Sequence, residues 1–407
     1  MDRRTYFRII ITLGFLIGLN PFSIDMYLPG FTSIAASLKT DVATVGLSLA
    51  SFFAGICLGQ LVYGPVMDRF GRKKPLLIGL SIYLIASIGC AFVTTVEQLI
   101  FLRFVQALGG CAGMVASRAM VRDIFPANEN AKVFSLLILV MGIAPIIAPS
   151  IGGLVVTTLD WHAIFVLLAL ITAAIMFSVW KFLPESRGSD SSVSLHPFKV
   201  LVGYVQVSQN LKFILYTFAM AFATAALFGY ITSSPFIFME LYGLSEFQYS
   251  AAFSLCAMCL IGGSQINRLL LRKMTEAGVA LRSCILFVII SLILAVAMSV
   301  SVAPLALVLV CIGAFMFLLG ILNPNTSALA ITSVSHNIGM ASALTGFVQM
   351  GLSAIMAAAV SSFTDGTARP MAISIFVCAA ISLICIVFAG GITAVKNGSE
   401  KAAMSNA

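Results

Sequence analysis

Charged residues are scarce in this chain: Asp, Glu, Lys and Arg together make up 9% of its 407 residues. Hydrophobic residues make up 60%, a share that soluble globular domains do not reach. A soluble domain is therefore excluded, and the net charge of +8 does not mark a nucleic-acid-binding protein. The composition instead predicts an integral membrane protein in contact with the lipid bilayer, because a helix that crosses a bilayer needs about 20 mostly apolar residues.

Histidine is rarer still, and the three histidines, His162, His196 and His336, form no cluster in the sequence. All nine cysteines lie in apolar runs. Cys256 and Cys259 have a metal or redox spacing, but they lie in mid-helix without a nearby histidine, so we interpret them as small core residues. The sequence also lacks a nucleophile–base pair and a nucleotide-binding loop. We therefore predict no metal, no cofactor and no enzyme activity.

Twelve apolar runs predict twelve membrane-spanning helices, numbered here as spans 1 to 12 of an all-α protein. Their expected bounds are 8–34, 43–66, 75–95, 98–121, 133–157, 162–183, 211–238, 248–271, 282–302, 305–331, 339–362 and 370–394. One long polar break divides them. The resulting prediction is an N-terminal six-helix bundle (1–183), a cytoplasmic central loop (184–210), a C-terminal six-helix bundle (211–395) and a cytoplasmic tail (396–407).

The basic residues predict the orientation of the chain. Of the 23 lysines and arginines, only Lys39 and Arg369 are expected on the outer side, and Arg103 lies within a span. The others flank the opposite ends of the spans. Cytoplasmic loops carry an excess of Lys and Arg, so we expect both termini in the cytoplasm.

A short charged stretch, Gly64–Lys74, separates spans 2 and 3. Gly64 and Gly71 allow a tight turn and close backbone approach, and Pro65 and Pro75 are expected to mark helix ends. The stretch resembles the signature loop between helices 2 and 3 of the major facilitator superfamily. The positions that carry the resemblance are Gly64, Asp68, Arg69, Gly71, Arg72 and Lys73.

The resemblance implies two pseudo-symmetric six-helix halves with a substrate site between them at mid-membrane. It also implies that this loop latches one conformation, with Asp68 paired to Arg122 and facing residues 337–341 at the start of span 11. A weak repeat about 200 residues later agrees with two halves, since Gly263-x-x-x-Asn267 repeats the spacing of the first loop. Asn267 stands there in place of the acid.

Asp25 is the only acid placed within a predicted span. Pro21 and Pro29 flank it and can distort span 1, exposing backbone to a cavity. Because an ionised carboxylate is costly to bury, Asp25 should face a cavity or hold a proton, as a proton-coupling site requires. The alternative is that span 1 ends at Pro29 and that Asp25 lies at the outer interface.

Arg103 lies in span 4, and Gln106, Gly110, Gly113 and Ser117 follow it in steps of three and four residues. These residues share one helix face, whose small and polar character suits a cavity or close helix packing. The stretch around Arg103 also resembles the helix-4 motif of the superfamily, whose arginine is tied to proton transfer. The alternative is an arginine that extends to the outer interface.

Span 5 contains Pro145, Pro149, Gly152 and Gly153, and these residues predict a kinked, closely packed helix. The pattern resembles the antiporter motif of drug exporters, Gly-Pro-x-x-Gly-Gly, with Ala148 in place of the first glycine. Within the superfamily this motif separates exporters from uptake systems. The alternative is a generic interface rich in glycine and proline.

Two further stretches, Asp25–Pro29 and Trp161–Phe165, resemble the bicyclomycin/chloramphenicol-resistance branch (Bcr/CflA type) of drug:proton antiporters. That resemblance implies a monomer in a bacterial inner membrane that exports small lipophilic or amphipathic drugs in exchange for protons. Bicyclomycin, chloramphenicol and sulfonamides are expected substrates. Aromatic and Met-rich walls suit such ligands. The expected contacts are Tyr27, Phe236, Asn323, Gln349 and Met350.

Two other functions remain open at this point. A metabolite permease of the same superfamily, for a sugar or amino acid, would need more buried polar groups, and charges are scarce in spans 7 to 12. A channel would not need the latch loop. Saturable uphill flux separates a transporter from a channel.

Overall fold

The computed structural model describes residues 3–190, 197–300, 303–334, 338–363 and 365–405, and every regular element in them is helical. A 3-10 turn at Leu28–Gly30 separates α1 from α2, and a π-helical turn at Phe236–Leu241 follows α9. The α-helices are α1 (Arg3–Asp25), α2 (Phe31–Ser37), α3 (Val42–Phe70), α4 (Lys73–Cys90), α5 (Val96–Ile124), α6 (Ala127–Thr158), α7 (His162–Phe182), α8 (Pro197–Ser208), α9 (Leu211–Pro235), α10 (Glu246–Leu270), α11 (Glu276–Val300), α12 (Leu305–Thr332), α13 (Ile338–Ser362) and α14 (Arg369–Ser405).

Within the described ranges, twelve helical segments are long and apolar enough to cross a membrane, which confirms the predicted number and the all-α class. Span 1 is Arg4–Ser37 and comprises α1, the 3-10 turn and α2. Spans 2 to 6 lie within α3 to α7. Span 7 is α9 with its π-helical turn, and spans 8 to 12 lie within α10 to α14; span 5 begins at Leu139 in α6 and span 12 ends at Gly391 in α14.

Two local predictions differ from the structure. Pro65 does not end a helix, because α3 continues through it to Phe70; a proline inside a membrane helix is tolerated where neighbouring groups satisfy the freed backbone. The predicted central loop contains the helix α8. Pro197 suits the first helical position, and Val207 packs in a core cluster that includes Phe213 and Ala330.

The described chain forms two compact units. Unit 1 comprises Met1–Val200, Ile231–Ala257 and Ala357–Thr367, and unit 2 comprises Leu201–Tyr230, Met258–Met356 and Ala368–Ala407. Unit 1 thus contains segments of spans 7, 8 and 11. These units do not follow the two six-helix halves, and that division of the chain stays a prediction.

Each unit contains a close helix contact at a glycine. In unit 1, a Cβ on Gly55 of α3 would overlap Phe104 O of α5, and in unit 2 a Cβ on Gly263 of α10 would overlap Phe317 O of α12. Small residues allow such close backbone approach between membrane helices.

Candidate functional site

Asp25 is the last residue of α1 and is 4% exposed. The regular α-helix ends there and a helical turn leads into the 3-10 turn, and the chain stays buried from Met26 through Phe31. Asp25 therefore lies inside unit 1. Within the residues that the structure describes, no cation pairs with this carboxylate.

Gly152 of α6 lies directly against the backbone beside Asp25. A Cβ at this position would overlap Met26 O and lie 2.8 Å from the Met26 carbonyl carbon. Pro145 and Pro149 lie within the same helix. The structure thus brings the predicted antiporter helix and Asp25 together, because only a glycine permits this separation between α6 and the end of α1.

The other side of α6 faces α10. The hydroxyl of Ser254 donates to Ile146 O at 2.8 Å, and Ser250 Oγ lies 2.9 Å from Pro149 O. Gly153 is adjacent, since a Cβ there would lie 3.0 Å from Ser250 Oγ. These serines are contacts that we did not predict. Their spacing of four residues, which puts both on one helix face, was the signal available in the sequence.

Arg103 of α5 is fully buried, so it does not extend to an interface. Its Nη1 donates to Gln106 Oε1 at 2.6 Å, and its Nη2 donates to Ser23 O at 3.0 Å. The guanidinium carbon lies 4.6 Å from the ring centre of Tyr27 and 4.3 Å from that of Phe52. No carboxylate pairs with it among the described side chains.

The groups that hold Arg103 are themselves fixed by hydrogen bonds. Gln106 Nε2 donates to Ser87 Oγ at 2.7 Å, and the hydroxyls of Ser23 and Tyr83 are hydrogen-bonded to each other. Among the described groups, Arg103 Nε has no hydrogen-bond partner, so the bonds from Nη1 and Nη2 and the ring contacts hold the guanidinium. Arg103 and Asp25, the two residues predicted for proton coupling, thus occupy neighbouring but separate sites.

The predicted substrate contacts are distributed over both units. In unit 1, Tyr27 is fully buried, and its hydroxyl pairs with Ser48 Oγ at 2.9 Å. Phe236 lines a cavity of about 450 Å³ together with Asp41 and Glu240. The substrate-binding roles of Tyr27 and Phe236 stay predictions.

In unit 2, Asn323 and Gln349 converge on Thr224 of α9. Their amide nitrogens donate to Thr224 Oγ1 at 3.4 and 2.9 Å. Met350 follows Gln349 in α13. Thr224 was missed because it lies in an apolar run about 100 residues from either partner, and no motif marks it.

The latch loop contains a buried arginine between two acids. Arg72 donates from Nη1 to Asp68 Oδ1 at 2.7 Å and from Nε to Asp123 Oδ2 at 3.0 Å. Arg187 Nη1 lies 3.4 Å from the same Asp68 oxygen. The predicted pair of Asp68 with Arg122 is wrong, since no such ion pair occurs in the described part of the chain. The expected contact of Asp68 with residues 337–341 falls partly outside the described residues.

Burial lowers the pKa of Arg72, but its hydrogen bonds to Asp123 and Asp68 outweigh burial and leave that pKa above its usual value. The guanidinium therefore stays charged at all physiological pH values. The backbone of Arg69 also takes part, since Arg69 O accepts from Asp190 N at 3.0 Å.

The segment that follows α7 completes this network. Glu185 Oε1 accepts from Arg72 N at 2.6 Å, and Glu185 Oε2 accepts from Lys73 N at 3.2 Å. A carboxylate at a helix N-terminus is favourable, so Glu185 caps α4 across 112 residues of sequence. Gly71 adopts φ +84° and a Cβ on it would lie 3.0 Å from Glu185. Gly64 has open space around it, so only Gly71 makes the predicted close approach.

The second copy of the loop motif is neutral. Asn325 Nδ2 donates to Asn267 Oδ1 at 2.7 Å, and both residues are buried. Asn267 therefore holds α10 to α12 by an amide pair, where Asp68 uses arginines. The charged network belongs to unit 1. The repeated glycine spacing in unit 2 is not accompanied by an acid at the position equivalent to Asp68.

We predict that Arg72→Ala destabilises the protein far more than Arg187→Ala does. The Arg72 side chain is 7% exposed, and its loss leaves Asp123 without a cation and Asp68 with only the longer contact to Arg187, whose own side chain is 46% exposed. The expected losses are about 2 kcal/mol or more for Arg72 and about 0–1 kcal/mol for Arg187. Thermal unfolding of the purified variants in detergent measures the order, and equal losses would contradict this account of the network.

Comparison with known proteins shows which family this chain belongs to. The family profile of the Major Facilitator Superfamily matches residues 13–358. The chain belongs to this superfamily, as predicted, and is a transporter rather than an enzyme. It is 33% identical over 380 residues to the uncharacterized MFS-type transporter YdgK of Bacillus subtilis, covering 91% of this chain and 93% of that one.

Two other relatives carry the drug names of the predicted branch. The bicyclomycin resistance protein homolog of Haemophilus influenzae is 30% identical, covering 95% of this chain and 97% of its own. The chloramphenicol resistance protein of Pseudomonas aeruginosa is 33% identical, covering 60% of this chain and 58% of its own. Among solved structures, the nucleoside transporter NupG matches with a TM-score of 0.73 at 14% identity over 95% of this chain and 99% of its own, which shows the fold.

Proposed function

We propose that this transporter exports small lipophilic or amphipathic drugs in exchange for protons. The observation that carries the proposal is Asp25, an acid buried at a helix break without a cation partner among the described residues. Gly152 of the antiporter motif lies against the adjacent Met26. Relatives named for bicyclomycin, chloramphenicol and multidrug resistance support a drug as the second substrate.

In this proposal Asp25 carries the proton. An isolated buried carboxylate is costly to ionise, so Asp25 accepts a proton from the outer side and releases it when access changes to the cytoplasm. Drug and proton drive alternating access only because each binds the two states differently. Phe236, Asn323, Gln349, Met350 and Tyr27 are the proposed drug contacts.

We further propose that the chain acts as a monomer in a bacterial inner membrane with both termini in the cytoplasm. The distribution of lysine and arginine supports this orientation. The loop network around Asp68 and Arg72 would then lie on the cytoplasmic side, where it stabilises one state of the transport cycle. A bias of about 1 kcal/mol changes a two-state ratio about fivefold.

Everted membrane vesicles that overproduce the protein test the proposal. Respiration acidifies their interior, and adding a transported drug should then release protons, seen as recovered fluorescence of a pH-sensitive dye. The panel contains bicyclomycin, chloramphenicol, a sulfonamide and lipophilic cations, with vesicles lacking the protein as control. Recovery with any of these drugs supports exchange. No recovery, with the protein present in the membrane, would overturn drug export and favour a metabolite permease.

A further inference from the structure

Arg103 is a buried cation whose neighbours are aromatic rings rather than acids. Tyr27 and Phe52 present their ring faces to the guanidinium at 4.6 and 4.3 Å, and Phe165 lies farther away at 5.9 Å. A cation over a ring face is attracted by the ring quadrupole, most strongly where water is excluded. We call Tyr27 and Phe52 the aromatic seat of Arg103.

The aromatic seat lies on the opposite side of α1 from Asp25. Ser23 and Tyr27 are four residues apart, and the backbone keeps a helical conformation through Tyr27, so they share one face. Arg103 contacts both, through Ser23 O and the Tyr27 ring. Asp25 lies midway between them in sequence and so points to the other face.

Few other titratable groups surround these two charges. In the described structure, those that interact with Arg103 are Tyr27 of span 1 and Tyr83 and Cys90 of α4. None of them is an acid that ionises readily near neutral pH. If the Arg103 guanidinium moved away from these rings, Asp25 would be the carboxylate in span 1 that it could approach.

We propose that the aromatic seat keeps the Arg103 guanidinium away from Asp25, and that Phe52 is thereby a positioning residue that sets the pH at which Asp25 releases its proton. The inference rests on the proposed role of Asp25 as proton carrier. The two rings bind the guanidinium in place of a permanent ion pair between Arg103 and Asp25. A guanidinium bound permanently to Asp25 would favour the ionised carboxylate and would oppose proton loading.

Carbodiimide labelling of the purified protein tests this proposal without requiring a drug. Dicyclohexylcarbodiimide reacts with a protonated carboxyl group, and mass spectrometry measures the labelled fraction of Asp25 across a pH series. Phe52→Leu keeps an apolar side chain without a ring face. The pH midpoint of Asp25 labelling in this variant should fall by roughly one pH unit, because the guanidinium loses one of its two ring faces, is held less firmly and can approach Asp25.

Three further variants separate this effect from general disruption. Phe52→Tyr restores the ring face and should keep the wild-type midpoint. Phe31→Leu removes a ring that packs on Tyr27 at 4.9 Å but does not face Arg103, and it should also leave the midpoint unchanged. Combining Phe52→Leu with Arg103→Gln should cancel the fall, because the cation that causes it is gone.

An unchanged midpoint in folded Phe52→Leu, or the same fall without Arg103, would overturn the proposal. Tyr27→Leu makes the same test if Phe52→Leu does not fold. Wild-type Asp25 that is never labelled at any pH would overturn it too. Labelling does not depend on transport, so a protein that exports no drug yet shows the predicted shift would refute only the drug export.

Discussion

Asp25→Asn abolishes drug-driven proton release and lowers the drug resistance of the host to that of cells without the transporter. Asparagine has nearly the shape of aspartic acid but carries no exchangeable acid proton. The carboxyl group is buried and has no cation partner in the described structure, so the neutral amide resembles its protonated form. We therefore expect normal folding and drug binding but no drug–proton exchange, because the amide cannot carry the proton that exchange requires.

Asp365→Asn is the matched control for this substitution. Asp365 is an exposed loop acid whose Oδ1 accepts from Thr367 N at 2.9 Å, and asparagine supports the same local turn. This control should keep wild-type exchange. Wild-type exchange in Asp25→Asn, at equal amounts in the membrane, would move the proton carrier to another residue while leaving drug export intact.

Gly152→Ala is expected to cause a similarly large loss for a mechanical reason. The added Cβ would overlap Met26 O and approach the Met26 carbonyl carbon to 2.8 Å. Both are backbone atoms, so no side-chain rotation relieves the contact, and overpacking of this kind costs about 1–3 kcal/mol. The strain falls on the residue next to Asp25. Drug-driven proton release should drop at least tenfold, and the thermal unfolding midpoint should also fall.

The adjacent glycine supplies the comparison. A Cβ on Gly153 would lie 3.0 Å from Ser250 Oγ, a side-chain atom that can rotate away. Gly153→Ala should therefore retain much more exchange and stability than Gly152→Ala. Equal losses in the two variants would show that α6 needs glycine generally, and that the contact with Met26 has no special role.

The loop at Gly64–Lys74 shows which contacts a local sequence pattern can predict and which it cannot. The pair of Asp68 and Arg72 was readable from the sequence, because residues four apart on a helix are neighbours, and the structure contains it at 2.7 Å. The choice of Arg122 as the partner came from the resemblance alone. Glu185 and Arg187 could not be found in this way, since they reach the loop from more than 100 residues away and no periodicity links them to it.

The amino-acid sequence by itself determined the twelve spans, the superfamily and the position of Asp25 and Arg103 within spans 1 and 4. This was possible because a chain in lipid must form all of its backbone hydrogen bonds internally. Membrane spans are therefore long apolar helices that can be recognised in the sequence. Only the tertiary structure decided that Asp25 and Arg103 lie on opposite sides of α1, that Gly152 closes on Met26 and that aromatic rings hold the arginine. Helical periodicity shows which residues share a face, but the helix that each face meets depends on packing between segments distant in the chain.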